Sequence, residues 1–330
     1  MTGLLEYFEK NPETKVVIFA GKGGLGKTTC SAALSYYMAT VQRRRVLCFS
    51  TDPQASLSDI FERDLFGKGE IEVVPNLFVV EIDADKRIKE YQEEVKRKIL
   101  DMYKLDKLPE EVEEYIESAS AEPAMYESAT YDAMAELVAK GEYDLYVFDM
   151  PPFGHGVRMV AMAEILAKWV DKITEAREEA RKYEAVAATL RGRRVGEDEL
   201  LKELLEIKKK MSFFTELLTD ARKTAFFMVL VPEKMAILDT ERALEMFEAL
   251  GIKMSGVVVN QVYPRELLDD PKTPEFLRNK VISQQKYLDE IKEKFGKYIA
   301  AVIPAFDREP KGLKMLGLVS EHLMKSRIKL

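Results

Sequence analysis

An open, doubly wound α/β sheet, mainly parallel and carrying a helical insertion subdomain, is the architecture this sequence predicts. Three observations support it. Short runs of β-branched and aromatic residues recur at strand length, helix-period segments separate them, and two long charged stretches break the rhythm. Continuous apolar runs between helices are expected of parallel strands whose sheet is covered on both faces. In such folds ligand chemistry gathers at the carboxyl ends of the strands.

The elements follow in order. Residues 15–20 (KVVIFA) form the first strand, a glycine-rich turn follows, and a helix runs from about Thr28 to Val41. VLCFS at 46–50 and LFVVEI at 77–82 are the second and third strands. LYVF at 145–148, FFMVLV at 226–231, VVV at 257–259 and IAAVI at 299–303 continue the series. Residues 85–121 are charged and helical, with an apolar stripe of Ile88, Tyr91, Val95, Ile99 and Met102. Residues 165–222 are likewise helical, broken by Gly192 and Gly196 in RGRRVG. The nucleotide-binding domain is therefore expected to comprise 1–84, 122–164 and 223–330, with 85–121 and 165–222 inserted as a helical subdomain.

Composition narrows the function. The chain has 330 residues, 47% apolar and 32% charged, which supports a large core and, at ~150 residues per domain, two domains or one with an insertion. No uncharged apolar run reaches the ~18 residues of a membrane span. The first residues, MTGLLEYFEKNPETK, carry acidic charges and lead into a strand, unlike a secretory leader. A soluble, cytoplasmic protein is the expectation. Fifty basic against fifty-seven acidic residues, a net charge of −7, argue against nucleic acid as the partner. Two cysteines, Cys30 and Cys48, and two distant histidines, His155 and His322, argue against a zinc site or a cysteine-ligated cluster within one chain.

The turn after the first strand is Gly21-Lys22-Gly23-Gly24-Leu25-Gly26-Lys27-Thr28-Thr29, which fits G-x-x-x-x-G-K-[ST] between a strand and a helix. Glycines let the backbone approach a phosphate chain and adopt conformations closed to other residues. The helix N-terminus adds amide donors and partial positive charge. Lys27 is placed for the β- and γ-phosphates of ATP and the Thr28 hydroxyl for Mg²⁺. Lys22, right after the first glycine, leaves the loop on the side away from Lys27.

Two acidic residues follow at strand ends. Asp52, in STDPQASLSD, is placed to orient an attacking water, since phosphoryl transfer needs mainly positioning and charge compensation. Asp149 ends LYVF and is placed to hold a Mg²⁺-bound water; MPPFGHGVR after it forms a shaped loop. Asn260 ends another strand and is placed for the adenine edge, with Pro304 and Phe306 as the opposite wall.

The ordered set GKGGLGKTT, STDPQASLSD, DMPPFGHGVR, VPEKMAILDTERA, VVNQ and VIPAFDREPKGL resembles the arsenite-pump ATPase family, which includes the ATPases that target tail-anchored membrane proteins. The resemblance covers almost the whole chain. It implies a P-loop NTPase fold, a Mg²⁺-dependent ATPase and a homodimer. The deviant loop GKGGLGKT implies that Lys22 reaches the partner's nucleotide. The sequence departs from the family in two places. The switch after the second strand has Gln54-Ala55 where the family usually has Ala-His, leaving Asp52 and Asp59 in place. The stretch LLDDPKTPEFLRNKVISQQKYLDEI lacks the CxxC with which tail-anchored targeting members bind zinc across the dimer, and Cys30 and Cys48 match no metalloid-binding position. No zinc is expected.

Within an ATPase, two biological roles are open: driving an anion pump, or delivering hydrophobic tail-anchored clients to a membrane receptor. A positional switch like the partition and septum-site ATPases is the alternative from another class. Those chains are usually shorter and lack the helical insertions. Leu200, Leu204, Ile207, Met211, Phe214 and Leu218 form an apolar seam at helix spacing, and Val160, Met162, Ile165, Leu166 and Trp169 add apolar residues upstream. The seam is either a client surface or ordinary packing; the charge of 171–211 favours packing.

Overall fold

In the computed structural model the described residues are 3–50, 56–103, 105–110, 112–114, 123–149, 171–179, 181–183 and 199–326. They include α1 (Leu4–Lys10), β1 (Val16–Ala20), α2 (Lys27–Thr40), β2 (Val46–Ser50), α3 (Ser56–Phe61), β3 (Ile71–Val74), β4 (Leu77–Glu81), α4 (Ala84–Tyr103), α5 (Pro123–Lys140) and β5 (Leu145–Asp149). After these come α6 (Glu199–Thr219), β6 (Thr224–Leu230), α7 (Lys234–Ala249), β7 (Met254–Val262), α8 (Glu275–Phe295), β8 (Ile299–Pro304) and α9 (Gly312–Lys325). All seven segments read as strands are strands. The sequence reading missed α1 and the edge strand β3, which returns antiparallel onto β4 through Asn76 at φ 69°.

The chain groups into two compact units, one of 1–83, 140–157 and 218–330, the other of 84–139 and 158–217. Residues 123–139, read from sequence with the nucleotide-binding part, group with the second unit.

The first unit is built on one eight-stranded sheet in the order β3-β4-β2-β5-β1-β6-β7-β8, parallel apart from β3. β1 lies between β5 and β6, and the chain leaves it towards β2 on one side and later towards β6, β7 and β8 on the other. Such a switch in direction opens a crevice at the strands' carboxyl ends, where the loop after β1 begins. Every residue of β1, β2, β5 and β6 is buried, because helices cover both faces. On one face Val17, Phe19, Cys48, Val147 and Phe227 pack with Leu4 and Phe8 of α1, Cys30 and Leu34 of α2, and Leu316, Val319 and Leu323 of α9. On the other, the Phe226 ring meets Phe247 of α7 at 5.3 Å between centroids. α2 lies between the sheet and α9, so it is buried nearly all round and uses small residues. Its Ser31 and Ser35 hydroxyls donate to the carbonyls of Lys27 and Ser31, one turn back.

The second unit is helical among its described residues apart from short turns: α4, α5, 171–179, 181–183 and most of α6. Ion pairs join Lys96 to Glu113 at 3.3 Å and Lys208 to Asp171 at 2.8 Å. Of the stripe read on 85–121, Ile88 is half-buried; the other four side chains lie outside the described residues, as do Gly192 and Gly196. On α6, Phe214 and Leu218 are buried, whereas Leu205 and Phe213, off the seam, are 44% and 45% exposed. The rest of the seam and the apolar residues at 160–169 lie outside the described side chains.

Candidate nucleotide site

The loop between β1 and α2 is shaped by glycines at two tight points. Gly26, the N-cap of α2, has φ 93°, and a Cβ there would stand 2.3 Å from Asn260 Nδ2. A Cβ at Gly21 would stand 2.5 Å from the Val229 carbonyl oxygen of β6. Gly23 and Gly24 are exposed, and nothing faces a Cβ at Gly24, so the loop's outer backbone is open to a ligand. Leu25 is half-buried and packs on the core beneath. Lys27 is buried and its Nζ donates to the Lys22 carbonyl at 3.1 Å, arching over its own loop. Thr28 and Thr29 are half-buried in the first turn of α2. Exposed backbone at a helix N-terminus, with a lysine beside it, suits an anionic phosphate chain.

Next to this loop, the ends of β4, β2 and β5 set Glu81, Ser50 and Asp149 side by side as register partners. Asp149 is 1% exposed, and its Oδ2 accepts the Ser50 hydroxyl at 3.2 Å. Glu81 is fully buried and accepts the amides of Leu57 and Ser58. Sequence reasoning missed Ser50 and Glu81, although Glu81 carries the signal that identified Asp149: an acidic residue ending an apolar strand. Asp52 and the loop 150–158 after Asp149 lie outside the described residues.

The donor set fits magnesium. A threonine hydroxyl and an aspartate are hard oxygen donors, and Mg²⁺ is usually held by one or two protein groups together with waters and substrate phosphates. Both cysteines are buried. Burial raises both thiols, Cys48 to about 12, with the negative charge of Asp149 adding to the rise at each. They are core residues in the protonated form.

On the other side of the loop, Asn260 is 8% exposed and its Nδ2 donates to the Leu25 carbonyl at 2.8 Å. The structure thus ties Asn260 directly to the phosphate loop, a contact the sequence did not announce. Gln261 follows in the left-handed region at φ 56°, a conformation rare for side-chain-bearing residues, where the β7–β8 register shifts. Beyond it, the Gln284 amide bonds both the amide and the carbonyl of Tyr263. Pro304 ends β8, and the Phe306 ring is half-buried, edge-on to His322 of α9 at 6.1 Å. Lys22 turns away from Lys27: its Nζ lies 3.8 Å from Asp239 Oδ2 of α7, and its side chain is 52% exposed.

The profile described as anion-transporting ATPase matches residues 14–325. A protein of Aquifex aeolicus named as a candidate arsenical pump-driving ATPase is 32% identical, over 94% of this chain and 99% of its own length. The ATPase GET3A of Arabidopsis thaliana is 29% identical over 94% of this chain and 84% of its own. An ATPase ASNA1 homolog of Dictyostelium discoideum is 28% identical over 97% and 93%. With the family profile covering almost the whole chain, this protein belongs to the anion-transporting ATPase family and is an ATPase.

Proposed function

We propose that this protein is a cytoplasmic, Mg²⁺-dependent ATPase that works as a homodimer, its subunits closing on ATP and opening after hydrolysis. The opposite courses of the two loop lysines carry the reading. Lys27 is buried and folds back over its own loop, whereas Lys22 is half-exposed and turned outward to Asp239. A cation so placed is available to a nucleotide bound by a second copy.

In this mechanism the amides of Gly21–Thr29 and Lys27 hold the phosphates, and Asn260, Pro304 and Phe306 border the base. Thr28 and Asp149, the latter aligned by the Ser50 hydroxyl, would hold Mg²⁺, which would supply charge compensation to the phosphates when bound. Asp52 orients the attacking water in line with the γ-phosphate, and the partner's Lys22 stabilises charge on the leaving side. The relatives' names divide between pump-driving and GET3 or ASNA1 ATPases. We favour delivery of hydrophobic tail-anchored clients, supported by the helical unit and its exposed Leu205 and Phe213. Neither zinc nor arsenite enters this cycle.

Lys22→Ala is the test. The variant is expected to bind ATP normally while losing ~10³-fold or more in kcat, the scale of a charge supplied in trans to phosphoryl transfer. Specific activity of the wild type should rise with protein concentration, and sedimentation should show ATP-dependent pairing of wild type only. A variant that pairs and hydrolyses ATP normally overturns the inter-subunit role.

A further inference from the structure

We infer that Glu81 is a positioning residue for hydrolysis, holding the far end of the segment that carries Asp52; this rests on the reading of Asp52 given above. Glu81 is 0% exposed, and a carboxylate out of water needs partners. Its Oε1 accepts the Leu57 amide at 2.7 Å, and its Oε2 accepts the Ser58 amide at 3.1 Å and the Ser58 hydroxyl. Those amides belong to the first turn of α3, where the helix offers them no acceptor of its own. The group that satisfies them is normally the residue just before the helix. Here it comes from the end of β4. The Ser58 hydroxyl oxygen also accepts the Leu65 amide at 3.0 Å, so the same cluster fastens the chain beyond α3.

The near end of the segment is fastened to the same row. Ser50 pairs in register with Glu81 on one side and Asp149 on the other. Its carbonyl accepts the Ile82 amide at 3.2 Å, and its hydroxyl donates to Asp149. The chain is therefore held at Ser50 and again at Leu57, and Asp52 lies between these two points in sequence. Both holds lie in the row of strand ends that also contains Asp149. Misplacing a reacting group by about 1 Å can cost ~10²-fold in rate, so a residue that sets where the segment ends acts on turnover without touching substrate. A carboxylate suits this place because it only accepts; a glutamine would turn N–H donors against the amides or the hydroxyl.

The experiment measures kcat and KM for ATP, nucleotide affinity and thermal stability in Glu81→Gln, Ser58→Ala, Asp52→Asn and the double variant Asp52→Asn/Glu81→Gln. Glu81→Gln is expected to lower kcat roughly 10-fold with KM and affinity unchanged, and Ser58→Ala by about 2- to 3-fold. Asp52→Asn is expected to lower kcat ~10²-fold, and adding Glu81→Gln should slow it no further, because residues acting through one another are not additive. Unchanged kcat in Glu81→Gln, or losses that multiply in the double variant, would overturn the proposal while leaving Asp52 in its role. Wild-type turnover in Asp52→Asn would remove Asp52 itself, a separate result. Should Glu81→Gln fail to fold, Ser58→Ala in the two Asp52 backgrounds carries the same comparison.

Discussion

The sheet unit and the helical unit use polar residues in opposite ways. At the sheet's carboxyl edge, Ser50, Glu81, Asp149 and Asn260 are buried, and they bond groups brought from other strands, α3 or the phosphate loop. In the helical unit, Lys208 and Asp171 meet at 44% and 43% side-chain exposure. Water and salt screen such a pair, so it orders little around it. Buried polar groups with fixed partners define positions closely; exposed pairs tolerate change. The proposed nucleotide chemistry accordingly rests on the first unit, which holds the phosphate loop.

The comparison can be broken most severely on α6, where a buried and an exposed phenylalanine are neighbours. Phe214→Ala is expected to cost ~3–5 kcal/mol of stability, as large-to-small changes in a core do. Phe213→Ala should stay within about ±0.5 kcal/mol. Denaturant titration reads both. Equal costs would mean that α6 is not divided into a packed and an open side. In the same helix, Leu205→Asp combined with Phe213→Asp should leave the fold and basal ATPase rate intact and abolish capture of a tail-anchored client; full capture would take the client role away from this surface.

Gly26→Ala moves the test to the sheet unit and should do the reverse, reducing activity more than stability. The left-handed backbone at φ 93° costs a side-chain-bearing residue ~1–3 kcal/mol, and the new Cβ must also displace the Asn260 amide. Nucleotide affinity is expected to fall ~10- to 100-fold. Normal affinity would show that the Gly26–Asn260 contact is dispensable.

The smallest effect concerns the thiols. Cys48 is held protonated up to about 12, against an ordinary value of 9.0, by burial and then by nearby carboxylates. A folded value above the unfolded one means that this share of stability is intact below pH 9 and drains as pH climbs towards 12. At about pH 8 a disulfide reagent should label neither cysteine in the folded protein and both after unfolding. Rapid labelling of the folded chain would place a thiol at the surface and sharpen the case for a redox or metalloid role.

Much of this molecule was legible from local pattern. GKGGLGKT declares its chemistry because a phosphate loop is a contiguous backbone device, its glycines and lysine set by neighbours in sequence. The seven apolar runs were legible because a parallel sheet buries both faces of each strand, leaving unbroken hydrophobic segments. β3 was not, since Ile71–Val74 is an edge strand buried only at Val73, and α1 was not, because its two buried residues, Leu4 and Phe8, are too few to establish a period. The contacts that finish the site were beyond any local reading. Asn260 reaches Leu25 across 235 positions, Ser50 reaches Asp149 across 99, and Glu81 caps a helix lying 23 and 24 residues before it. Sequence can say that a strand ends in a carboxylate. Which amide, hydroxyl or loop that carboxylate meets depends on strand order, because only the packed sheet brings the ends of β4, β2 and β5 into one row.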